Sequence, residues 1–369
     1  MKILHVCSYF STSPLFGQLF DRQIASGHDI DIYVPISKQF PEERISSNKD
    51  YAQTVRVFNQ IDRYFYFYKQ NKIFRDLKNR YQTSQYDLIH AHSLFTNGFM
   101  AYKINQTYGT PYIVAVRSNE IETFFKRAFW LRSMGLKILK NASRIIFISQ
   151  NTYDDTFKNY IPENEKANLL EKTHVITNGI DQFWHDHAYH EHRSTLVEPL
   201  KIVATAKLQK AKNLETLADY VANYNKEVAP AELHVIGPNW DQKIHDNLIA
   251  NPVVTYHGPM KKDELVAFYR QADIFALLSS PETFGLVYVE AMSQGLPVIY
   301  TKGEGFDSFF PNHEIGVSVD RYSVNEFNEA VQFITSHYPQ LSSKAVEKSK
   351  QFQWDDINQT YLDMYQDIM

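Results

Sequence analysis

Two glutamates eight residues apart, Glu282 and Glu290 in SSPETFGLVYVEAMSQGLPVIY (279–300), are the first residues to ask for a chemical role. Glu290 sits inside the apolar run LVYVEAM, which reads as a helix, and a carboxylate buried there needs a partner or a hydrogen bond. An acid–base pair acting on one bond wants its carboxyls about 5 to 9.5 Å apart. Eight helical residues rise about 12 Å, so two separate contacts on one elongated ligand is the easier reading. Between them, Thr283, Phe284, Gly285 and Leu286 place a helix N-terminus with unpaired N–H groups, a natural anion site. A carboxylate aimed into that site would repel an anion, so Glu282 should turn aside toward neutral hydroxyls. The order carboxylate, anion cradle, carboxylate matches sugar, diphosphate, ribose. The plainer alternative has Glu282 complementing the helix dipole and Glu290 solvated.

Two lysines extend the same chemistry. Lys207 and Lys212, in ATAKLQKAKNLETLADYV, follow a β-rich run. Breaking an anomeric C–O bond to a nucleoside diphosphate puts negative charge on the leaving phosphate. Two ammonium groups and a helix N-terminus stabilise that charge where it develops, without a metal. No well-placed D-x-D-like carboxylate pair lies between the strands. Lysines in a KAK stretch are commonly solvated surface, and only their place after a strand, upstream of both glutamates, favours function.

The elements that must hold these residues come in two sets. In the first half KILHVCSYF, DIDIYVP, YDLIHAH, TPYIVAV, SRIIFIS and HVITNG read as strands. FGQLFDRQIASG and a long stretch from about Asn59 to Tyr81 read as helices among them. The pattern restarts after a His-rich stretch with strands PLKIVATAKL, AELHVIGP, NPVVTYHG, ADIFALLS and LPVIYT. Its helices are LETLADYVANYN, KDELVAFYRQ and FGLVYVEAMSQ, and WDDINQTYLDMYQDIM closes the chain as an amphipathic helix. Alternation of apolar strands with helices implies doubly wound parallel sheets, which bind ligands at the carboxyl ends of strands. Neither half has a G-x-G-x-x-G or a G-x-x-x-x-G-K-[ST] loop, which argues against a nicotinamide dehydrogenase and a P-loop NTPase.

The bulk composition fits. With 369 residues, 44% hydrophobic and 22% charged, the chain can build two globular domains. No apolar run reaches the roughly 18 to 20 residues of a membrane span, and the start reads as a strand rather than a signal peptide. A single cysteine, Cys7, excludes an internal disulfide and makes a reducing cytosol the default. Residues 1–185 carry a net +6 and the remainder −10, so the first half is expected to meet something anionic.

The stretch ETFGLVYVEAMSQGLPVI resembles the E-x7-E signature of retaining GT-B glycosyltransferases of family 4, the group 1 transferases. ATAKLQKAKNLETLADYV, ELHVIGP, VVTYHGPMKKDELVAFYRQADIFALLS and VITNGID resemble the family in order and spacing; the first half matches more loosely. The resemblance implies an α/β GT-B fold, two Rossmann-like doubly wound domains facing a central cleft. Residues 1–185 would bind the acceptor and 186–352 the nucleotide-sugar donor, with 353–369 a helix packing back on the first domain. It implies that Glu290 holds the ribose hydroxyls and Glu282 a hydroxyl of the transferred sugar, while Lys207 and Lys212 grip the diphosphate. Phe284, Gly285 and Leu286, with Thr283 before them, offer backbone N–H groups. Met260 stands beside the nucleobase, Gly237 belongs to the donor site, and Gly17 approaches the phosphates. Lys207 stands where arginine is common, replacing a bidentate fork with a point charge, and Asn213 replaces a frequent glycine. The implied enzyme is a retaining, metal-independent hexosyltransferase without cofactor. It would use a nucleotide sugar, UDP-linked by family frequency, and a glycan or lipid-linked acceptor in bacterial cell-surface polysaccharide synthesis. A catalytically silent relative, or an epimerase or hydrolase on the same fold, is the alternative.

The first half departs from the pattern. In VAVRSNE, Arg117 stands where such relatives often carry a catalytically placed histidine, and arginine is no base at neutral pH. It could hold an acceptor phosphate or the transferred sugar, with Asn119 and Glu120 nearby, or form a structural ion pair. His90 and His92 are expected to point to opposite faces, with His92 the cleft residue and His90 in the core. His185, His187, His190 and His192 resemble a metal cluster but lack supporting ligands, so no metal is expected. Cys7 reads as a buried small hydrophobe. YFYFY (64–68) reads as core or partner surface, and nucleic acid is not an expected partner. FFKRAFWLRSMGLKILKNASR (124–144), with six basic and no acidic residues, reads as a helix that could lie on an anionic membrane or serve as domain core. The location that follows is cytoplasmic, peripheral at the inner face of the membrane if that contact forms.

Overall fold

The computed structural model describes residues 1–13, 15–42, 45, 49–189 and 196–369, except for the side chain of Asn119. The chain forms two compact units. The first comprises Met1–Ile148, Thr152–Asn178 and Trp354–Met369. Its strands are β1 (Lys2–Val6), β2 (Asp29–Ser37), β3 (Ala52–Phe58), β4 (Leu88–Ala91), β5 (Tyr112–Val116), β6 (Arg144–Phe147) and β7 (Thr173–Val175). They form one parallel sheet in the order β3-β2-β1-β4-β5-β6-β7. The chain winds outward from β1 and returns to β4, so the two lie side by side at the topological switch point. Side chains alternate across the sheet: Leu4 and Val6 join the core on one face, Ile3 and Cys7 that on the other.

The second unit comprises Ser149–Asn151 and Gly179–Gln353. Its strands are β8 (Leu200–Thr205), β9 (Ala231–Ile236), β10 (Val254–Gly258), β11 (Ile274–Leu277), β12 (Val298–Thr301) and β13 (Gly316–Val319). They order as β10-β9-β8-β11-β12-β13, all parallel, with the switch point between β8 and β11.

The last helix, Trp354–Gln366, belongs to the first unit. It is tied there by Arg22 Nε to Asp355 (2.6 Å) and by the Tyr365 hydroxyl, which meets Gln23 Nε2 at 2.9 Å and His90 Nδ1 at 2.7 Å.

Several expectations need correction. The 59–81 stretch is not one helix but a 3-10 turn (Gln60–Tyr64) followed by the helix Tyr66–Arg80. The 124–144 stretch is likewise interrupted: a π-helical segment Ile121–Arg127, a 3-10 turn Phe129–Leu131, then the helix Arg132–Asn141. Its Phe125, Leu131, Ile138 and Leu139 are buried, whereas Phe129 and Trp130 are about two-thirds exposed (64% and 65%). Lys126 and Lys140 are paired to Glu122 and Glu165. Of YFYFY, Tyr66 is buried and the other four are exposed. Among the described residues, no helix is long and apolar enough to cross a membrane.

Candidate active site

In the second unit the predicted residues gather at the carboxyl ends of β8 and β11. Lys207 follows β8 and lies over the Trp240 ring, Nζ 4.0 Å from its centroid. The chain then makes a 3-10 turn, Lys210–Lys212, and enters the helix Leu214–Glu227 through Asn213, at φ +49°. Asn213 tolerates that left-handed conformation better than most residues, and its Nδ2 donates to Leu278 O (2.6 Å). This turn brings Lys212 Nζ to 2.6 Å from Glu282 Oε2, an ion pair with both partners mostly shielded. Glu282 also accepts the Thr283 N–H (3.0 Å) through Oε1, and its own N–H donates to Glu304 Oε2 (2.7 Å).

The Glu282 carboxylate thus pairs with Lys212 and takes up the Thr283 N–H, one of the donors expected of the cradle, just before the helix Leu286–Ser293. Gly285 enters that helix at φ +87°, where a Cβ would stand 2.6 Å from the Tyr288 ring. Phe284 anchors the turn in an aromatic group with Phe306, Phe309 and Phe352. Among the described residues the N–H groups of Phe284, Gly285 and Leu286 meet no acceptor, so the helix start retains its anion-attracting donors.

Glu290 lies on the same helix. Burial pushes its carboxyl up to about 7, Lys262 pulling it down and Asp181 pushing it up again. Lys262 and Asp181 are themselves paired at 2.7 Å. A carboxyl held this way is ready to gain hydroxyl donors that stabilise its ionised form. Gly237, after β9, is at φ +145°, with room for no Cβ: one would fall 2.0 Å from Ala206 O. Met260 is half-buried and lines an open cavity of about 440 Å³ with His257, Pro259, Glu264 and Phe268. The sequence reading missed Glu304, whose carboxylate fixes the backbone of Glu282. The only sequence signal is its place between two glycines just after β12.

In the first unit Arg117 stands at the carboxyl end of β5. Its Nε donates to His92 O (2.8 Å), and its guanidinium lies over the rings of Tyr9 (5.2 Å) and Phe16 (5.0 Å). Gly17 is in the first turn of the helix Leu15–Ala25, its Cβ position 3.8 Å from the Phe10 ring. Glu120 is not open to a ligand: both oxygens accept backbone N–H groups, of Leu94 (2.5 Å) and Phe95 (2.7 Å). Burial raises its carboxyl to about 7 against the pull of those bonds and Arg117.

The histidine reading fails for a geometric reason. Residues two apart in a strand share a face, and His90 and His92 stack with centroids 4.2 Å apart. His92 is buried, its Nε2 3.0 Å from His5 Nδ1, and burial holds it and His90 well below the ordinary histidine range and His5 at about 3. His92 thus serves Arg117 through its carbonyl, not as a ring at the site. His5, His90 and His92 bring their nitrogens within 4.8 Å of one another, but His90 Nδ1 and the His5–His92 pair are already bonded. Of the suspected metal histidines, His187 Nδ1 meets Phe183 O and His185 Nε2 meets Phe352 O; His190 and His192 lie outside the described residues. Burial pushes the Cys7 thiol up to about 12, keeping it neutral.

Two parallel sheets of seven and six strands, with the candidate site residues at the switch point of the second, define the GT-B class of α/β fold. Sucrose-phosphate synthase from Thermosynechococcus elongatus has the same fold, with a TM-score of 0.78 over 100% of this chain and 99% of that one at 18% identity. An Anabaena protein (Alr3699/HepE) solved in complex with UDP-glucose gives 0.69 over the whole of both chains at 15% identity. The family models "Glycosyltransferase Family 4" and "Glycosyl transferases group 1" match residues 17–182 and 188–352. The chain belongs to the group 1 glycosyltransferases of family 4. Among curated relatives, D-inositol 3-phosphate glycosyltransferase of Corynebacterium kroppenstedtii is 25% identical over 252 residues. That match takes in 63% of this chain and 55% of the relative.

Proposed function

We propose that this protein is a retaining, metal-independent glycosyltransferase. It moves a sugar from a nucleoside diphosphate sugar, a UDP-sugar in first place, to a glycan or lipid-linked acceptor in bacterial surface polysaccharide synthesis. The observation that carries this reading is the Lys212–Glu282 pair set beside the open N-terminus of the helix that also bears Glu290. Lys207, Lys212 and the N–H groups of Phe284, Gly285 and Leu286 meet the charge that grows on the leaving diphosphate, a preorganised contribution that needs no ion. Glu290 accepts the ribose hydroxyls. Glu282, oriented by Lys212 and by Glu304 behind its backbone, accepts a hydroxyl of the transferred sugar. The enzyme works in the cytoplasm, peripherally at the membrane.

UDP-, GDP- and ADP-sugars, compared by thermal shift and then by nucleotide release with added acceptors, test the proposal. A UDP-sugar should stabilise the protein most and be turned over in the presence of chelator. Stabilisation without turnover of any donor would favour a silent binder, and activity lost to chelator and restored by a divalent ion would overturn the metal-free mechanism.

A further inference from the structure

Arg117 is a mostly buried charge without a direct ion-pair partner. It is only 8% exposed, yet its terminal nitrogens are not closed off from solvent, so the open edge of the guanidinium is where another group can meet it. Its fixed partners are one carbonyl, His92 O, and the faces of Tyr9 and Phe16. These cation–π contacts favour the charged guanidinium at this place and fix its plane. No carboxylate of the described residues lies within the 4.0 Å of an ion pair, and neither terminal nitrogen meets an acceptor. The nearest acid in sequence, Glu120, spends both oxygens on Leu94 and Phe95 N–H. The location adds to this. Arg117 ends β5, its partner His92 ends β4, and Tyr9 follows β1, so the guanidinium sits at the carboxyl ends of the strands around the β1/β4 switch point. Ligands of doubly wound sheets bind there. Phe16 brings in the start of the helix Leu15–Ala25, which has no acidic residue in its first turn, and whose dipole favours an anion.

We infer that Arg117 is the receptor for an oxyanion, a carboxylate or phosphate on one of the sugar substrates and distinct from the donor diphosphate. The inference rests on the glycosyltransferase reading and narrows its substrate class. The terminal nitrogens present a planar fork that fits such a group bidentately, while Tyr9 and Phe16 hold the fork in place.

Paired probes separate the two sources. UDP-glucuronic acid against UDP-glucose asks whether the charge is on the transferred sugar. Glucose 1-phosphate against methyl glucoside, with UDP present, asks whether it is on the acceptor. Calorimetry on the full chain should show one anionic member binding at least tenfold tighter than its neutral partner, the gap shrinking to less than threefold in Arg117→Gln. Should Arg117→Gln fail to fold, Arg117→Lys carries the test: a point charge should lower the preference severalfold. No preference in either pair, or one that survives both substitutions, overturns the inference. So does an equal loss for UDP, UDP-glucose and UDP-glucuronic acid, which would assign Arg117 to the diphosphate. The donor site is judged separately, by UDP binding to wild type and to Glu290→Ala.

Discussion

Replacing Glu290 by glutamine tests the donor site through protons. Burial moves this carboxyl from 4.5 to about 7, a displacement worth about 3 kcal/mol. The folded state holds the proton more tightly than the unfolded chain. The associated stability is therefore complete below about pH 4.5 and is lost as pH rises toward 7. Glu290→Gln carries no such loss, so at pH 8 it should melt several degrees above wild type, and by pH 5 the gap should narrow. A sugar nucleotide whose ribose hydroxyls donate to Glu290 selects the ionised form. Binding must then expel the proton from molecules that still hold it: about half of them at pH 7 and about one in ten at pH 8. UDP-glucose suits the measurement, since its diphosphate does not titrate in this range. Calorimetric titration in two buffers of different ionisation heat reads the number released. The expected values are about 0.5 proton at pH 7 for wild type and none for Glu290→Gln, with weaker binding in the variant. Equal proton release by the two proteins, or undiminished affinity in the variant, would refute the assignment of Glu290 to the ribose.

Three further outcomes follow from other contacts. Glu282→Ala removes the partner of Lys212 and, on the proposed assignment of the residue to the sugar rather than the nucleotide, should lower kcat at least about tenfold while changing UDP affinity less than about threefold; the reverse split in steady-state kinetics would count against it. Gly237→Ala puts a Cβ 2.0 Å from a carbonyl oxygen at φ +145° and should cost about 3 kcal/mol or more in urea denaturation; a change under about 1 kcal/mol would show that the backbone gives way there. The protein should cosediment with anionic and not neutral vesicles, less so in Trp130→Ala, since that ring is exposed beside basic residues; equal pelleting with both, or none, removes the electrostatic membrane contact.

What the sequence made legible followed burial. The strands at the middle of the first sheet are buried throughout, β4 with His90 its one polar side chain and β5 apolar along its length, and stand out as continuous runs. The strand β3, AQTVRVF, is an edge with only Val57 and Phe58 buried, so it reads as loop. The four-residue β13 begins on a glycine and is equally quiet. The helix Gln242–Ala250 buries only Ile244 and Leu248, too few for a clear period. The helix Val324–Ser336, absent from the sequence reading, does carry the period in Phe327, Ala330, Val331 and Ile334. At the site, motif spacing located Glu282, Lys212 and the Gly285 turn, but partners distant in sequence could not be read. Seventy residues separate Lys212 from Glu282, and Glu304 is joined to Glu282 only through folding. Strand periodicity, correctly applied, places His90 and His92 on one face; only the structure shows that it is the covered one.

The helix Trp354–Gln366 sets an order of events during synthesis. Its Tyr365 closes over Gln23 and His90, which the ribosome makes 342 and 275 residues earlier. While the second unit is being translated, that face of the first sheet waits without its cover, and His90 lacks the Tyr365 hydroxyl and the Tyr361 ring. The first unit to be made is thus the last to be finished. Until the thirteen-residue helix Trp354–Gln366 docks, His90 Nδ1 has no Tyr365 hydroxyl to meet and Gln23 Nε2 no acceptor there.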